Sequence, residues 1–233
     1  MHCVVTAGPT FEPLDEVRRL TNFSSGKLGS QLANFLVEQG HQVTLLYGHY
    51  STYRDKDTAQ IIGKEKTTEA QRHREKQIVP FDTTRDLQDK LKSLAIETVD
   101  AVFHAAAVSD FGFGKVFERD AKGELREVTS GKISSRDGTL LAELVPTPKI
   151  ISSLRECFPK SRIVGWKYEV DGDRASVVTR AVQQIRENKT DACVANGKAY
   201  GFGFGLVLAS GETKHFSDTT ELYSALEKLT AMS

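Results

Sequence analysis

The sequence predicts an α/β fold, a mostly parallel sheet with helices on both faces. Three observations predict it. Short apolar runs recur along the chain, as strands buried on both faces require. Between them stand segments whose apolar residues return every three or four positions, the period of an amphipathic helix. Glycine, serine and alanine gather directly after the predicted strands, where open parallel sheets bind their ligands.

HCVVTA, residues 2–7, is the first buried strand. The helix after it opens near Ser24 or Ser25, carries Leu28, Leu32, Phe35 and Leu36 on one face, and stops at Gly40, a residue suited to a left-handed helix end. QVTLLYG (42–48) returns as a strand. Residues 49–77 are charged and aperiodic, which predicts an exposed insertion ahead of a short strand at 78–81. Thr83 precedes a helix with Leu87, Leu91 and Leu94 in register, and VDAVFHA (99–105) is the next buried strand. The glycine-rich stretch 111–138 reads as a flexible flap. A helix then opens at Pro148, RIVGWKYEV (162–170) is a strand, Val177, Val178, Ala181 and Ile185 mark a helix, and TDACVAN (190–196) is a strand. LVLASGETKHFS (206–217) predicts a hairpin, and Asp218 with Glu221 resembles a capping box opening a last helix with Leu222, Leu226 and Leu229. Residues 1–233 thus read as a single Rossmann-like domain, with the hairpin and final helix over about 204–233 and no internal repeat.

Composition narrows the partners. Lys plus Arg (31) equals Asp plus Glu (31), so no excess positive charge exists to neutralise a long phosphate backbone, and nucleic acid is not an expected partner. Cys3, Cys157 and Cys193 form no C-x-x-C pair and suit reduced thiols in a cytoplasmic protein. The apolar opening is too short for a signal peptide and no stretch approaches a bilayer span, so no membrane partner is expected.

Two loops carry chemistry. In TNFSSGKLG (21–29), Gly26 and Gly29 remove Cβ atoms where a ligand or strand must come close. Ser24, Ser25 and the free N–H groups of the first helical turn offer donors to an anion, a phosphate cradle. Asn22 adds an amide donor, and Arg18 a fork suited to carboxylate or phosphate. The plainer alternative is that Asn22 and the serines shape a turn and cap the helix, and the loop alone does not choose. In AAAVSDF, Ala105, Ala106 and Ala107 let a flat ring or phosphate lie against the backbone, and Asp110 presents an oxygen that can hold Mg²⁺ bridging nucleotide phosphates. Alone, such an alanine run is tight packing and such an aspartate a helix cap. His104 reads as a hydrogen-bonded strand-end residue before it reads as a base. Lys132, between Gly131 and Ile133 on the flap, can swing over developing phosphate charge, although most loop lysines simply face water.

Taken in order, VTAGPTFEPLDEVRRLTNFSSGKLG, AAAVSDF, SGKI, PTPKII, VGWKYE and DACVAN resemble the phosphopantothenate-cysteine ligases (phosphopantothenoylcysteine synthetases) of coenzyme A biosynthesis, from the first strand to about Gly203. This is the family of the DNA/pantothenate metabolism flavoprotein C-terminal domain. The resemblance implies that a nucleoside triphosphate, CTP or ATP with Mg²⁺, activates the carboxylate of 4′-phosphopantothenate to an acyl-nucleotidylate, and that the amine of L-cysteine then displaces the nucleotide. It implies that Asn22 contacts the acyl carbonyl, that Arg18 reaches the site from the neighbouring subunit of a homodimer, and that Lys132 assists activation. Gly8, Ser24, Ser25, Gly26 and Gly29 would form the nucleotide and substrate cradle. Ala105 and Ala106 would line the nucleotide, with Asp110 beside its phosphates or metal. Pro146, Thr147, Pro148, Lys149 and Trp166 match segments around base and sugar.

The resemblance has departures. CTP-using bacterial members carry two lysines on the helix before the last core strand, where this chain has Gln184 and Asn188, with Lys189 a substitute after a one-residue shift. NFSSG with WKYE resembles eukaryotic members that accept ATP, so the triphosphate stays open. The flavin-dependent decarboxylase often fused ahead in bacteria is not seen, so no flavin is expected and that activity is expected on another chain. Two alternatives to the ligase are a noncatalytic nucleotide-binding or regulatory homologue, favoured by the missing lysines, and an NAD(P)-dependent oxidoreductase. The latter lacks a G-x-G-x-x-G after the first strand, an acidic residue closing QVTLLYG and a Tyr-x-x-x-Lys pair.

Overall fold

The computed structural model describes residues 1–55, 76–129 and 138–231. Most of the predicted insertion at 49–77, part of the flap at 111–138, and Lys132 lie outside the described residues. In chain order the strands are β1 (His2–Ala7), β2 (Phe11–Pro13), β3 (Arg19–Thr21), β4 (Gln42–Gly48), β5 (Lys76–Phe81), β6 (Ala101–His104), β7 (Phe111–Arg119), β8 (Leu125–Glu127), β9 (Thr139–Pro146), β10 (Arg162–Tyr168), β11 (Ala192–Asn196), β12 (Phe204–Leu208) and β13 (Thr213–Phe216). The helices are α1 (Lys27–Glu38), α2 (Thr84–Leu94), α3 (Ile150–Cys157), α4 (Arg174–Asn188) and α5 (Thr219–Ala231).

Eight strands form the central sheet in the order β13-β12-β11-β10-β6-β1-β4-β5. From β11 to β5 all neighbours are parallel, and the C-terminal hairpin adds β12 and β13 antiparallel at one edge. Every residue of β1 is buried, because helices cover both of its faces. Cys3, Val5 and Ala7 point to the side where α1 lays Leu32, Ala33 and Leu36 and α5 lays Leu222 and Leu226. Val4, Leu46, Val102 and Ile163 point to the other side, under Leu87 and Leu91 of α2 and Ile150 and Leu154 of α3. There α4 closes the sheet with Val177, Ala181 and Ile185 over Cys193, Ala195 and Val207. Burial pushes the thiols of Cys3 and Cys193 up to about 12, so both act as small apolar fillers. Among the described residues no helix is long and apolar enough to cross a membrane.

Several boundaries differ from the sequence reading. Helix α1 starts at Lys27, after Ser24 and Ser25, because its cap is Gly26 in the left-handed region at φ 78°, with no side-chain cap. Gly40, at φ 80°, ends the helix as its position predicts. Helix α3 begins two residues past Pro148, with Lys149 as its cap. A capping box the sequence reading missed joins Asp173 and Ser176 at the start of α4, while at α5 Glu221 N donates to Asp218 Oδ1 at 2.9 Å, the forward bond of the predicted box.

The largest correction concerns the flap. Its described residues, with those that follow, form a separate three-stranded antiparallel sheet in the order β8-β7-β9. Two features hide it from a periodicity reading. The register shifts between Phe113 and Val116, breaking the alternation, and seven of the eight residues of β9 are exposed, so no buried face marks the strand.

Gly29 shows why α1 can lie so close to β1. A Cβ there would stand 2.7 Å from Ala7 Cβ and 3.0 Å from the Thr6 carbonyl oxygen. Gly29→Ala is therefore expected to lower the unfolding free energy by about 1–3 kcal/mol despite alanine's higher helix propensity, because the added methyl overlaps β1. Equilibrium urea unfolding checks this; an unchanged midpoint would mean that α1 is free to shift.

Candidate functional site

The chain leaves β1 for β4 and β5 on one side and returns to β6 and β10 on the other, so the sheet's switch point lies between β1 and β6. The loops leaving these two strands are bonded together. Ala105 N donates to the Thr6 carbonyl at 3.2 Å, Ala107 N to the Gly8 carbonyl at 3.0 Å, and Thr10 N to the Ala107 carbonyl at 3.2 Å. Beneath them the buried Thr10 hydroxyl accepts from Ser109 N at 2.8 Å and meets Thr84 Oγ1 at 3.2 Å. Asn22 joins this junction from the far end of the β1 loop. Its Nδ2 donates to the carbonyls of Val108 (3.0 Å) and Ala107 (3.3 Å), across 85 residues of sequence in the second case.

The β6 loop that Asn22 holds also lines a cavity of about 590 Å³. The cavity lies at the carboxyl ends of β6 and β10 and between α3 and α4. Two of its lining residues close over Gly165 of β10, where a Cβ would stand 2.7 Å from Gln184 Nε2 and 2.8 Å from Ile151 Cδ1. Of the predicted site residues, Ala106, Asp110, Thr147, Pro148, Lys149 and Trp166 line it. Thr147 N donates to the Asp110 carbonyl at 3.0 Å, which ties the α3 entry to the β6 loop.

The other predicted residues that are described lie outside that lining. Ala105 and Pro146 flank it along the chain. Gly8 and Gly26 have positive φ of 87° and 78°, and a Cβ on either would meet Ser51 Oγ, at 1.9 and 2.9 Å. Their lack of side chains thus admits the segment after β4, and Gly29 admits β1; a ligand is not needed to explain any of the three. Among the described residues Ser51 Oγ, buried there, has no hydrogen-bond partner. Ser24 N donates to the Asn22 carbonyl and Ser25 Oγ accepts from Lys27 N, so these serines do shape the turn. Arg18 is gripped by Asp15, which accepts from its Nε (3.0 Å) and Nη2 and from its backbone N–H. Lys189, the predicted substitute for the helix lysines, is the left-handed cap of α4 at φ 53°, outside the cavity lining, and its carbonyl accepts from Arg155 Nε at 2.9 Å.

Charge inside the cavity comes chiefly from residues the sequence reading did not single out. Glu169 pairs with both Lys167 (3.2 Å) and Arg180, one carboxylate between two cations, which leaves this corner net positive. Along α4, Arg180, Gln183, Gln184, Glu187 and Asn188 all face the cavity; their three- and four-residue spacing was the available signal, a polar stripe opposite the buried one. Gln184 Nε2 donates to the Trp166 carbonyl at 3.3 Å, and Asn188 Nδ2 to the Gln184 carbonyl at 2.7 Å. Among the described residues no group of three or more histidine, cysteine or acidic side chains is arranged to hold a metal. The exposed Asp110 carboxylate fits the way Mg²⁺ is held by one or two carboxylates and a ligand's phosphates.

The profile of the family described as DNA/pantothenate metabolism flavoprotein C-terminal domain matches residues 1–210. The chain is 31% identical over 205 residues to the Coenzyme A biosynthesis bifunctional protein CoaBC of Bacillus subtilis (strain 168), an alignment covering 88% of this chain and 42% of that protein. It thus spans about two fifths of the length of the curated relatives it matches. Among solved structures, the DNA/pantothenate metabolism flavoprotein from Streptococcus pneumoniae superimposes with a TM-score of 0.78 at 24% identity over 100% of both chains. A Cab2 mutant in complex with phosphopantothenate-cysteine superimposes with a TM-score of 0.72 at 20% identity, over 99% of this chain and 86% of that one. At these identities the likeness is one of fold.

His104, at the cavity wall, is held by Thr6 Oγ1 at 2.9 Å from Nδ1, and burial lowers its pKa from 6.5 to about 4. The unfolded chain therefore binds one more proton than the folded protein between these two values, and stability falls as pH drops through that window. The expected loss is on the order of 3 kcal/mol from pH 7 to pH 4. Urea unfolding of wild type and His104→Asn at both pH values checks it: the pH-dependent loss should shrink in the variant, and equal losses would contradict a buried neutral imidazole.

Proposed function

The chain belongs to the DNA/pantothenate metabolism flavoprotein C-terminal domain family, and we propose that it is a ligase of coenzyme A biosynthesis, joining 4′-phosphopantothenate to L-cysteine with consumption of a nucleoside triphosphate. One observation carries the reading: the Asn22 amide is bonded to the β6 loop whose Asp110 lines the cavity, so the two most specific motifs of the sequence converge on one place. The Bacillus subtilis relative is named for coenzyme A biosynthesis, and the Cab2 structure holds phosphopantothenate-cysteine, the product of such a reaction.

In the proposed reaction a carboxylate oxygen of phosphopantothenate attacks the α-phosphorus, and the bond to the pyrophosphate oxygen breaks. The acyl-nucleotidylate then loses its nucleoside monophosphate to attack by the cysteine amine, which gives up a proton as the amide forms. No protein nucleophile is needed. The difficulty is electrostatic, since an anion must approach a polyanion in a partly desolvated cavity. Lys149 at the cavity mouth, and Lys132 by its place in the motif, supply positive charge, and Asn22 exchanges its longer bond, to the Ala107 carbonyl, for one to the acyl oxygen as charge develops there. Asp110 would hold Mg²⁺ on the phosphates, where the ion spreads their negative charge. The triphosphate is CTP or ATP. The neutral side chains of Gln184 and Asn188, standing where CTP-using members carry lysines, accord with ATP. The three free cysteines accord with a cytoplasmic setting.

The reading includes a homodimer. Phe111, Leu125, Leu141, Leu144 and Val145 are exposed on the small antiparallel sheet, and β9 is its open edge, which suits pairing with a second copy. Arg18, pre-oriented by Asp15, would then serve the neighbour's site.

Pyrophosphate release should require phosphopantothenate, Mg²⁺ and CTP or ATP, with cysteine needed for amide; silence with every triphosphate would favour a noncatalytic homologue. Asn22→Asp should lower turnover by about 10²–10³-fold, since it sets negative charge beside an anionic intermediate, and normal turnover would remove its role. Mixing Arg18→Ala with Asn22→Asp protein should restore part of the activity through heterodimers. No recovery would mean that each chain carries a complete site.

A further inference from the structure

The turn that carries Asn22 has little packing of its own. Asn22 and Phe23 are exposed, and the turn leaves a hairpin of two three-residue strands, β2 and β3, paired through Phe11 with Thr21, Glu12 with Leu20, and Pro13 with Arg19. A two-stranded ribbon of this length does not hold itself in place. Its first strand is tied down: Phe11 N donates to the Asp82 carbonyl at 3.0 Å, and Glu12 Oε1 accepts from Thr84 N at 3.1 Å. The second strand leans on the segment that follows β4. The Arg19 guanidinium lies 3.4 Å from the ring centroid of Tyr50 and 5.5 Å from that of Phe11. Phe11 and Tyr50 meet edge to face, 5.1 Å apart at 78°, and His49 packs 4.9 Å from Tyr50.

The same segment also grips the far side of the turn. Ser51 fills the space that Gly8 and Gly26 leave, and Tyr53 N donates to the Ser25 carbonyl at 2.9 Å. Residues 49–53 thus hold the chain just before Asn22 and just after it, although 27 positions or more separate them from Asn22 in sequence.

We propose that Tyr50 and Arg19 form a stacking latch that fixes where Asn22 stands at the cavity rim, which makes both of them positioning residues for the ligation. The inference rests on the ligase reading for its catalytic consequence alone; the latch itself is a claim about the turn. A flat, delocalised cation on the face of one ring that is itself braced edge to face by a second sets distance and tilt together, which a flexible ammonium cannot do. Among the described residues no hydrogen bond is made by the Tyr50 hydroxyl, so the ring is the working part.

The test uses the full chain as wild type, Tyr50→Ala, Tyr50→Phe and Arg19→Lys. Hydrogen-exchange mass spectrometry of the apo protein should show faster exchange over residues 19–24 in Tyr50→Ala and Arg19→Lys, with β1 and β6 unchanged and Tyr50→Phe like wild type. In the pyrophosphate assay the two latch-breaking variants should lose about tenfold or more in kcat, as a misplaced catalytic group does, while KM for the triphosphate stays within about twofold. Tyr50→Phe should retain full kcat. Unchanged exchange over 19–24 would overturn the latch, and faster exchange with full kcat would overturn its positioning role. A loss of kcat matched by a general rise in exchange would show a merely structural contact and overturn the proposal as well. Were wild type silent with every triphosphate, the ligase reading would fall, and the exchange result would still decide the latch.

Discussion

The structure depends on the junction of the β1 and β6 loops. Parallel pairing of these strands puts Thr6 opposite His104, and the backbone bonds between Gly8, Thr10 and Ala107 carry that pairing past the strand ends. Peptide groups at a strand end must find partners or water, and here each loop satisfies the other. The bonds hold the β6 loop in one conformation and thereby set one wall of the cavity. The Asn22 amide, the buried Thr10 hydroxyl and the Thr147 backbone all attach to this junction, from three different parts of the chain.

The cavity is polar in an ordered way. Glu169 restrains two cations, and the Gln184 and Asn188 side-chain amides each donate to a backbone carbonyl, of Trp166 and of Gln184, so the α4 wall is preorganised before any ligand arrives. His104 contributes no charge at neutral pH because burial removes its proton. The positive charge of the Glu169 corner thus comes from Lys167 and Arg180. Such a wall meets phosphates without reorganising, which is where electrostatic catalysis gains over water.

Much of this was legible in the sequence, for physical reasons. Buried parallel strands are apolar throughout, and the helices that cover them carry leucines at fixed spacing, so β1, β4, β6, α1, α2 and α4 announce themselves. The arm of β7, β8 and β9 does not, since its exposed faces impose no period. The glycines mark a related limit. Gly26 and Gly29 signal close approach correctly, but the approaching group is Ser51 or β1, and an absent side chain carries no record of its neighbour's identity. Glu169 and Arg180 were passed over because a charged residue on a helix or strand end reads the same whether it faces water or a cavity.

By itself the sequence determined the fold class, the order of the core elements and the family, because each depends on local pattern or on motifs read along the chain. Only the tertiary structure decided which residues share the cavity, that Asn22 holds the β6 loop, that Lys189 stands outside it, and that Tyr50 lies under Arg19. These are contacts between segments far apart in sequence, brought about by sheet order and by the packing of helices on its two faces, and nothing in the spacing of residues along a chain encodes them directly.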